Sequence, residues 1–350
     1  MPRLRRVDCS VPGLARKRSG RGFAYYDRGG ERIDEAETIA RIKALGIPPA
    51  WKEVWICPDE RGHLQAMGKD VAGRRQYIYH EGWRTRQERA KFEHMLDFAR
   101  SLPAMRDITL EHLKLEGFPY DRVLGCAVRL LDRGFFRMGT EGYAEQNQTY
   151  GLATILKQHV SITGNEVVFD YVAKSGKRRL WSTVDPMVLE VVSGLKRRRS
   201  GGVELLAYKR YGTWLDVRSS DINDYVREIS GGDFTAKDFR TWSATVLASV
   251  ALAVSGGAAA SKTGRKRAMA RAVKEVSEYL GNTPAVSRSS YIDPRVFDRY
   301  RSGWTISGAL DMLEDRASGE PATQGAIENA VIDLIEDRRD SPALEEITPP

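Results

Sequence analysis

Four short strings in this 350-residue chain place arginine, lysine, asparagine and tyrosine beside glycine turns and helix ends. Phe135-Phe136-Arg137-Met138-Gly139-Thr140-Glu141, with Asn147-Gln148-Thr149-Tyr150-Gly151-Leu152 after it, puts Arg137 at a helix end before a glycine turn. Phe169-Asp170-Tyr171-Val172-Ala173-Lys174-Ser175-Gly176 puts Lys174 on a hairpin tip. Lys237-Asp238-Phe239-Arg240-Thr241-Trp242 opens a long helix with Arg240 in it. Gly281-Asn282-Thr283-Pro284 and then Ser287-Arg288-Ser289-Ser290-Tyr291-Ile292-Asp293-Pro294 give a capped turn followed by a tyrosine in a short segment. These residue types suit phosphodiester cleavage by side chains alone. Its transition state crowds negative charge on the non-bridging oxygens, which fixed cations must face. Arginine's planar fork can hold two such oxygens. A lysine whose pKa falls near other cations can protonate the departing oxygen. A tyrosine can attack, and it leaves readily enough for the reaction to reverse.

Other chemistries find less support. Gly256–Thr263 approaches a phosphate loop, but Ser261 stands where glycine is needed, and an Ala-rich helix precedes it where the motif requires a strand. His63, His80, His94, His112 and His159 have no metal-ligand spacing, so no metal and no cofactor is expected. No Gly-x-Ser-x-Gly elbow occurs. Cys9, Cys57 and Cys126 form no Cys-x-x-Cys pair and read as free structural thiols of a reduced cytosol. The N-terminus lacks the apolar segment of a signal peptide, and no apolar run reaches the ~20 residues of a membrane span. The expectation is a cytoplasmic protein.

Net charge is +8, unevenly spread: Asp311–Pro350 holds 11 Asp/Glu and 3 Arg, a net of −8, leaving +16 on the first 310 residues. Such a body suits a polyanionic partner, with phosphate contacts supplying most of the attraction, although a merely soluble basic protein carries the same charge.

The elements that must position these residues fall into an α+β arrangement. Residues 1–21, rich in arginine, read as a flexible basic arm. Residues 22–82 read as a small antiparallel β-rich domain. It has strands at 22–26, 52–57, 63–67 and 76–80, and a helix from Asp34 to near Gly46. Residues 83–310 read as a mainly helical catalytic domain. Its helices are expected at 84–101, 109–117, 120–134, 142–158, 186–196, 220–229, 237–254 and 262–280, with a β-hairpin inserted at 166–184. Thr283 and Pro284 read as the N-cap and first residue of a short helix. Residues 311–350 read as an acidic tail with one helix at 324–338.

Taken in order, the four strings resemble the type IB DNA topoisomerases of the small poxvirus and bacterial kind, over about Pro48 to Pro294. The resemblance implies a C-shaped clamp around duplex DNA, a monomer, and relaxation of supercoils without ATP or metal. It implies that Tyr291 attacks the scissile phosphate, giving a 3′-phosphotyrosyl link and a free 5′-hydroxyl. Arg137 and Arg240 would hold the non-bridging oxygens, and Lys174 would protonate the 5′ oxygen. Asn282 stands where many relatives carry histidine; it can donate a hydrogen bond but cannot carry a proton, so it is assigned oxyanion stabilisation only. Gln76, Tyr77 and Tyr79 resemble the strand that meets the major groove, and Lys177 and Arg178 are further candidate DNA contacts.

Plainer readings stand beside these. Arg137 can cap a helix, Lys174 can be a solvated turn residue, and Tyr279 and Tyr300 compete with Tyr291. A tyrosine recombinase uses the same residue types, although the His-x-x-Arg box is missing before Arg240. A non-enzymatic DNA-packaging protein accounts for the charge but not for the tyrosine context.

Overall fold

Alternating apolar residues dominate the chain before residue 80, and spacings of three and four dominate after it. The computed structural model, which describes residues 3–256, 261–314 and 322–347, follows that division as an N-terminal antiparallel sheet and a helical core. Two compact units are formed, Met1–Glu93 and His94–Pro350.

The first unit holds β1 (Leu14–Ser19), β2 (Gly22–Tyr26), α1 (Ala36–Ala44), β3 (Lys52–Ile56), β4 (Leu64–Lys69) and β5 (Arg75–Tyr79). The sheet order is β2-β1-β3-β4-β5, antiparallel throughout. Leu14, Tyr25, Ile42, Val54, Ile56 and Ala66 form its core, with α1 contributing Ile42. The expected basic arm is corrected here. Residues 14–19 are a central strand, and Arg5 lies in a parallel bridge to Gly62. Arg16 donates to the carbonyls of Ile47, Pro48 and Trp51 at 3.0, 2.9 and 3.0 Å and lies over the Phe23 ring. Its charge is committed to the fold.

The second unit begins within α2 (Glu81–Leu113) and continues with α3 (Tyr120–Gly134), α4 (Glu141–Asn147), β6 (Val160–Thr163), β7 (Glu166–Val172), β8 (Arg178–Thr183) and α5 (Pro186–Arg197). Then come β9 (Ala207–Arg210), β10 (Thr213–Asp216), α6 (Ser219–Ser230), α7 (Ala236–Val254), α8 (Lys262–Leu280) and α9 (Pro284–Ser290). The described chain closes with α10 (Pro294–Arg301), β11 (Trp304–Thr305), α11 (Ser307–Glu314), α12 (Ala322–Glu336) and β12 (Glu345–Glu346). Among the described residues no helix is long and apolar enough to cross a membrane.

Four expectations are revised by this unit. Helices 84–101 and 109–117 are one helix, α2, running through Pro103. Proline removes one helical hydrogen bond, but Phe98, Leu102 and Met105 are buried on either side of it and hold the helix together. The inserted hairpin is a three-stranded sheet, with β6 added beside β7. A further hairpin, β9–β10, was not foreseen. The described part of the acidic tail holds more than the one expected helix: β12 pairs with β11, and Glu328 of α12 is buried.

The fifth revision bears on the site. The helix expected over 142–158 stops at Asn147, and the chain turns back through Gln148 in the left-handed region (φ 50°). It then pairs backbone to backbone with the segment after α3, Leu152 N–H donating to Arg137 O and Ala153 N–H to Met138 O, both at 2.8 Å. Two glycines permit this. A Cβ on Gly151 would lie 2.4 Å from Gly139 N, and Gly139 itself has φ +73°. Gly151→Ala should therefore destabilise the fold by ~2 kcal/mol or more, as overpacking does. Gly142→Ala, in α4 with open space at its Cβ, should be neutral or stabilise by up to ~1 kcal/mol. Urea denaturation of both variants checks the pair.

Candidate active site

α3 and α8 end close together. An α-helix leaves its last carbonyls without helical partners and its C-terminus with partial negative charge. Phe135 takes the left-handed conformation after α3 (φ 53°), and Gly281 does so after α8 (φ +64°). Across the gap between them lie three guanidinium groups. Arg179 of β8 donates to Gly134 O and Tyr279 O at 2.7 and 2.8 Å. Arg240 of α7 donates to Phe135 O and to Leu280 O, the latter at 2.8 Å. Arg137 donates to Gly281 O at 3.2 Å and to the Asn282 side-chain oxygen. Arg179 and Arg240 thus bridge successive carbonyls of both helix ends, and Arg137 continues the series.

Arg240 is 4% exposed, and burial, with the charges of Arg137 and Arg179 added, lowers its pKa from the usual arginine value. Burial likewise pulls the Arg179 pKa down and pushes the neighbouring Tyr171 hydroxyl up to about 12. Among the described residues none of the three guanidiniums pairs with a carboxylate. The positive charge is offset by carbonyl dipoles and by the neighbouring Tyr171 and Tyr291. Arg240 Nε, Arg179 Nε and Asn282 Nδ2 are buried donors without a partner.

A cavity of about 300 Å³ opens beside this cluster, lined by Arg137, Lys174, Lys177, Arg179, Arg240 and Asn282 among others, with Glu278 the carboxylate at its wall. The β7–β8 hairpin supplies the lysines. Its inner face packs Phe169 and Trp181 around Phe136 at ring distances of 5.1 and 5.2 Å, next to Arg137 in sequence. The tip, Lys174–Gly176, turns through Ser175 at φ 67°, with Ala173 N–H donating to Lys177 O at 2.8 Å. Lys174 is exposed there. Lys177 donates to Asn282 O at 3.4 Å. Arg178 points its guanidinium at Asp170 across the strands, at 2.7 and 2.5 Å.

Tyr291 follows α9, whose expected cap is present: Thr283 Oγ1 accepts from Val286 N–H, and Pro284 is the first helical residue. Tyr291 does not line the cavity. Its ring lies against Arg240, 5.4 Å from the guanidinium carbon. Thr245 of α7 fixes the backbone there, donating to Tyr291 O at 3.3 Å and accepting from Asp293 N–H at 3.2 Å. The rival tyrosines are placed differently. Tyr300 is buried in the core, and half-exposed Tyr279 has its ring against Phe135.

In the first unit Tyr77 and Tyr79 share the outer face of β5, 43% and 39% exposed, with rings 6.1 Å apart. The pleat puts Gln76 on the opposite face with Ile78, and its amide donates to Asp70 at 3.0 Å. Among the described residues no group of three His, Cys, Asp or Glu is arranged to hold a metal ion. The phosphate-loop near miss falls partly on residues 257–260, outside the described residues; at its described end Ser261 caps α8 by accepting from Gly264 N–H at 2.9 Å.

Sequence reasoning missed Arg179. It sits one residue beyond Arg178 in a basic run, and only strand alternation, exposed Arg178 against inward Arg179, marked it.

The site so defined is a cluster of arginine and amide donors with a tyrosine beside it, on an α+β scaffold. Comparison with known proteins agrees in kind. The family described as "Eukaryotic DNA topoisomerase I, catalytic core" matches residues 80–315, and "Bacterial DNA topoisomerase IB, N-terminal domain" matches residues 22–70. DNA topoisomerase 1B of Acanthamoeba polyphaga mimivirus is 29% identical over 297 residues, 83% of this chain and 88% of that protein. DNA topoisomerase 1B of Vaccinia virus (strain Copenhagen) is 22% identical over 235 residues, 66% of this chain and 71% of that protein. The chain belongs to the type IB DNA topoisomerase family. Membership decides against the recombinase and packaging alternatives.

Arg179→Lys keeps the charge but cannot bridge two carbonyls. Single-turnover cleavage should slow by roughly 10²-fold, as loosened catalytic groups do, while DNA affinity measured by filter binding stays close to wild type.

Proposed function

We propose that this enzyme relaxes supercoiled duplex DNA by cutting one strand through Tyr291, letting the duplex swivel, and resealing it. The observation that carries the proposal is the carboxylate-free set of buried Arg240 and half-buried Arg137, Arg179 and Asn282, with the Tyr291 ring against Arg240.

In the cleavage step the Tyr291 phenolic oxygen bonds to phosphorus, the bond from phosphorus to the 5′ oxygen breaks, and the phenol's proton passes to solvent. Arg137 and Arg240 face the non-bridging oxygens, and Nδ2 of Asn282 supplies a neutral donor. Lys174, carried on the hairpin tip, gives a proton to the departing 5′ oxygen. Resealing reverses each transfer. Arginine forks suit this better than lysines because each can hold neighbouring backbone carbonyls with some donors and a phosphate oxygen with the rest.

The partner is duplex DNA, attracted by the +16 of residues 1–310. The first unit acts as a DNA-binding domain, with Tyr77 and Tyr79 of β5 presented outward toward the groove. With the second unit it forms a C-shaped clamp, and the enzyme works as a monomer at the nucleoid in the cytoplasm. The family and the charge distribution support these finer points.

Plasmid relaxation in EDTA without ATP tests the whole proposal. Tyr291→Phe should abolish relaxation and the covalent adduct while DNA binding persists; a fully active variant would overturn the reading. Lys174→Ala should slow cleavage by roughly 10²–10⁴-fold, the range for loss of a general acid. Much of that loss should return on a substrate carrying a better 5′ leaving group. Affinity should drop by ~0.9 log units per phosphate contact for each tenfold rise in salt.

A further inference from the structure

Helix α12 lies wholly beyond residue 315, where the catalytic-core match ends. Its composition reads as part of an acidic tail, yet it carries a carboxylate into the interior of the second unit. Glu328 is 8% exposed. It accepts from the Trp242 indole N–H at 3.1 Å and from both Nη atoms of Arg106 at 2.6 and 2.8 Å. Arg106 also grips Asp132 of α3 through two bonds of 2.9 Å. Burial works against the Arg106 charge, but Glu328 and Asp132 together hold its pKa above the ordinary arginine value.

A carboxylate kept for solubility has no reason to be here, since burying one costs several kcal/mol unless its partners are placed well. The partners indicate what the placement does. Trp242, 2% exposed, stands two residues after Arg240 on α7. At the far end of α12, Arg299 of α10 donates to Leu334 O at 3.2 Å and pairs with Asp337 at 3.3 Å. α10 begins three residues after Tyr291. The helix beyond the family match therefore holds both the element that carries Arg240 and the element that follows Tyr291.

We infer that Glu328 is a positioning residue: through Trp242 and Arg106 it docks α12 so that α7 and α10 keep Arg240 against the Tyr291 ring. The inference rests on the cleavage reading above. α12 touches neither DNA nor the reacting atoms in this role; it sets the angle between the helix that carries Arg240 and the helix that follows Tyr291.

The test compares full-length wild type with Glu328→Gln, Trp242→Phe and the control Arg100→Ala, using a DNA substrate whose cleaved end cannot reseal. Arg100 pairs with Asp97 and Glu336, so the control loosens the exposed end of α12 without touching Trp242. Covalent-adduct formation should slow roughly 10-fold or more in the first two variants, since small misplacements of catalytic groups are costly. DNA affinity in both should stay within about twofold of wild type, because binding depends mainly on phosphate contacts. Arg100→Ala should cleave at the wild-type rate whatever its thermal midpoint. Trp242→Phe, which keeps the ring and removes the N–H, decides the matter if Glu328→Gln does not fold. Wild-type rates in both site variants, or an equal slowing in the control at equal loss of thermal midpoint, would overturn the inference alone. A wild-type enzyme that forms no adduct would sink the cleavage reading and this inference with it.

Discussion

The terminal carbonyls of α3 and α8 are the constraint on which the site is built. Each helix end must find donors for carbonyls that have no helical partner, and here arginine side chains supply them. Arg179 and Arg240 each take one carbonyl from either helix, and Arg137 takes the next together with the Asn282 amide. One set of hydrogen bonds thus closes two helices, locks the gap between them and orients three cations.

The electrostatic consequence follows from what is missing. Buried charges in proteins are ordinarily paired, because desolvating an ion costs several kcal/mol. The pairs elsewhere in this molecule obey that rule: Asp185 takes Arg129 and Arg133, and Asp293 takes Arg295. Around Arg240, among the described residues, carbonyl groups and the Tyr291 ring stand in place of a carboxylate, and burial lowers the pKa of Arg240 and Arg179. Donors already aimed and already desolvated need little reorganisation when negative charge develops nearby, which is the condition for electrostatic catalysis.

Support for this arrangement comes from several distant parts of the chain. The Gly139–Gly151 contact fixes the backbone of Arg137, and aromatic packing around Phe136 seats the hairpin that carries Lys174. Thr245 ties the Tyr291 backbone to the Arg240 helix. Each support is a packing or hydrogen-bond contact between segments far apart in sequence, and a substitution in any one acts on the site through geometry rather than charge.

The sequence by itself determined the residue types, the helix and strand periods and several ends. Thr283 as a cap, Gly281 as the stop of α8 and the turn at Lys174 depend on local backbone rules, which neighbouring residues reveal. Arg137, Lys174, Arg240, Asn282 and Tyr291 stood out as candidates through the order of their four strings, and the structure brings Arg137, Lys174, Arg240 and Asn282 to one cavity with the Tyr291 ring against Arg240. Only the tertiary structure decided which arginines do structural work. Arg16 falls in the stretch read as a flexible basic arm and is held by three carbonyls, while Arg179, which was not among the candidates, bridges two helix ends. The continuity of α2 through Pro103 and the burial of Glu328 also depend on partners tens to hundreds of residues away. A guanidinium or a carboxylate has the same composition in water as in a core; its role is set by the groups that surround it, and those are brought together only by folding.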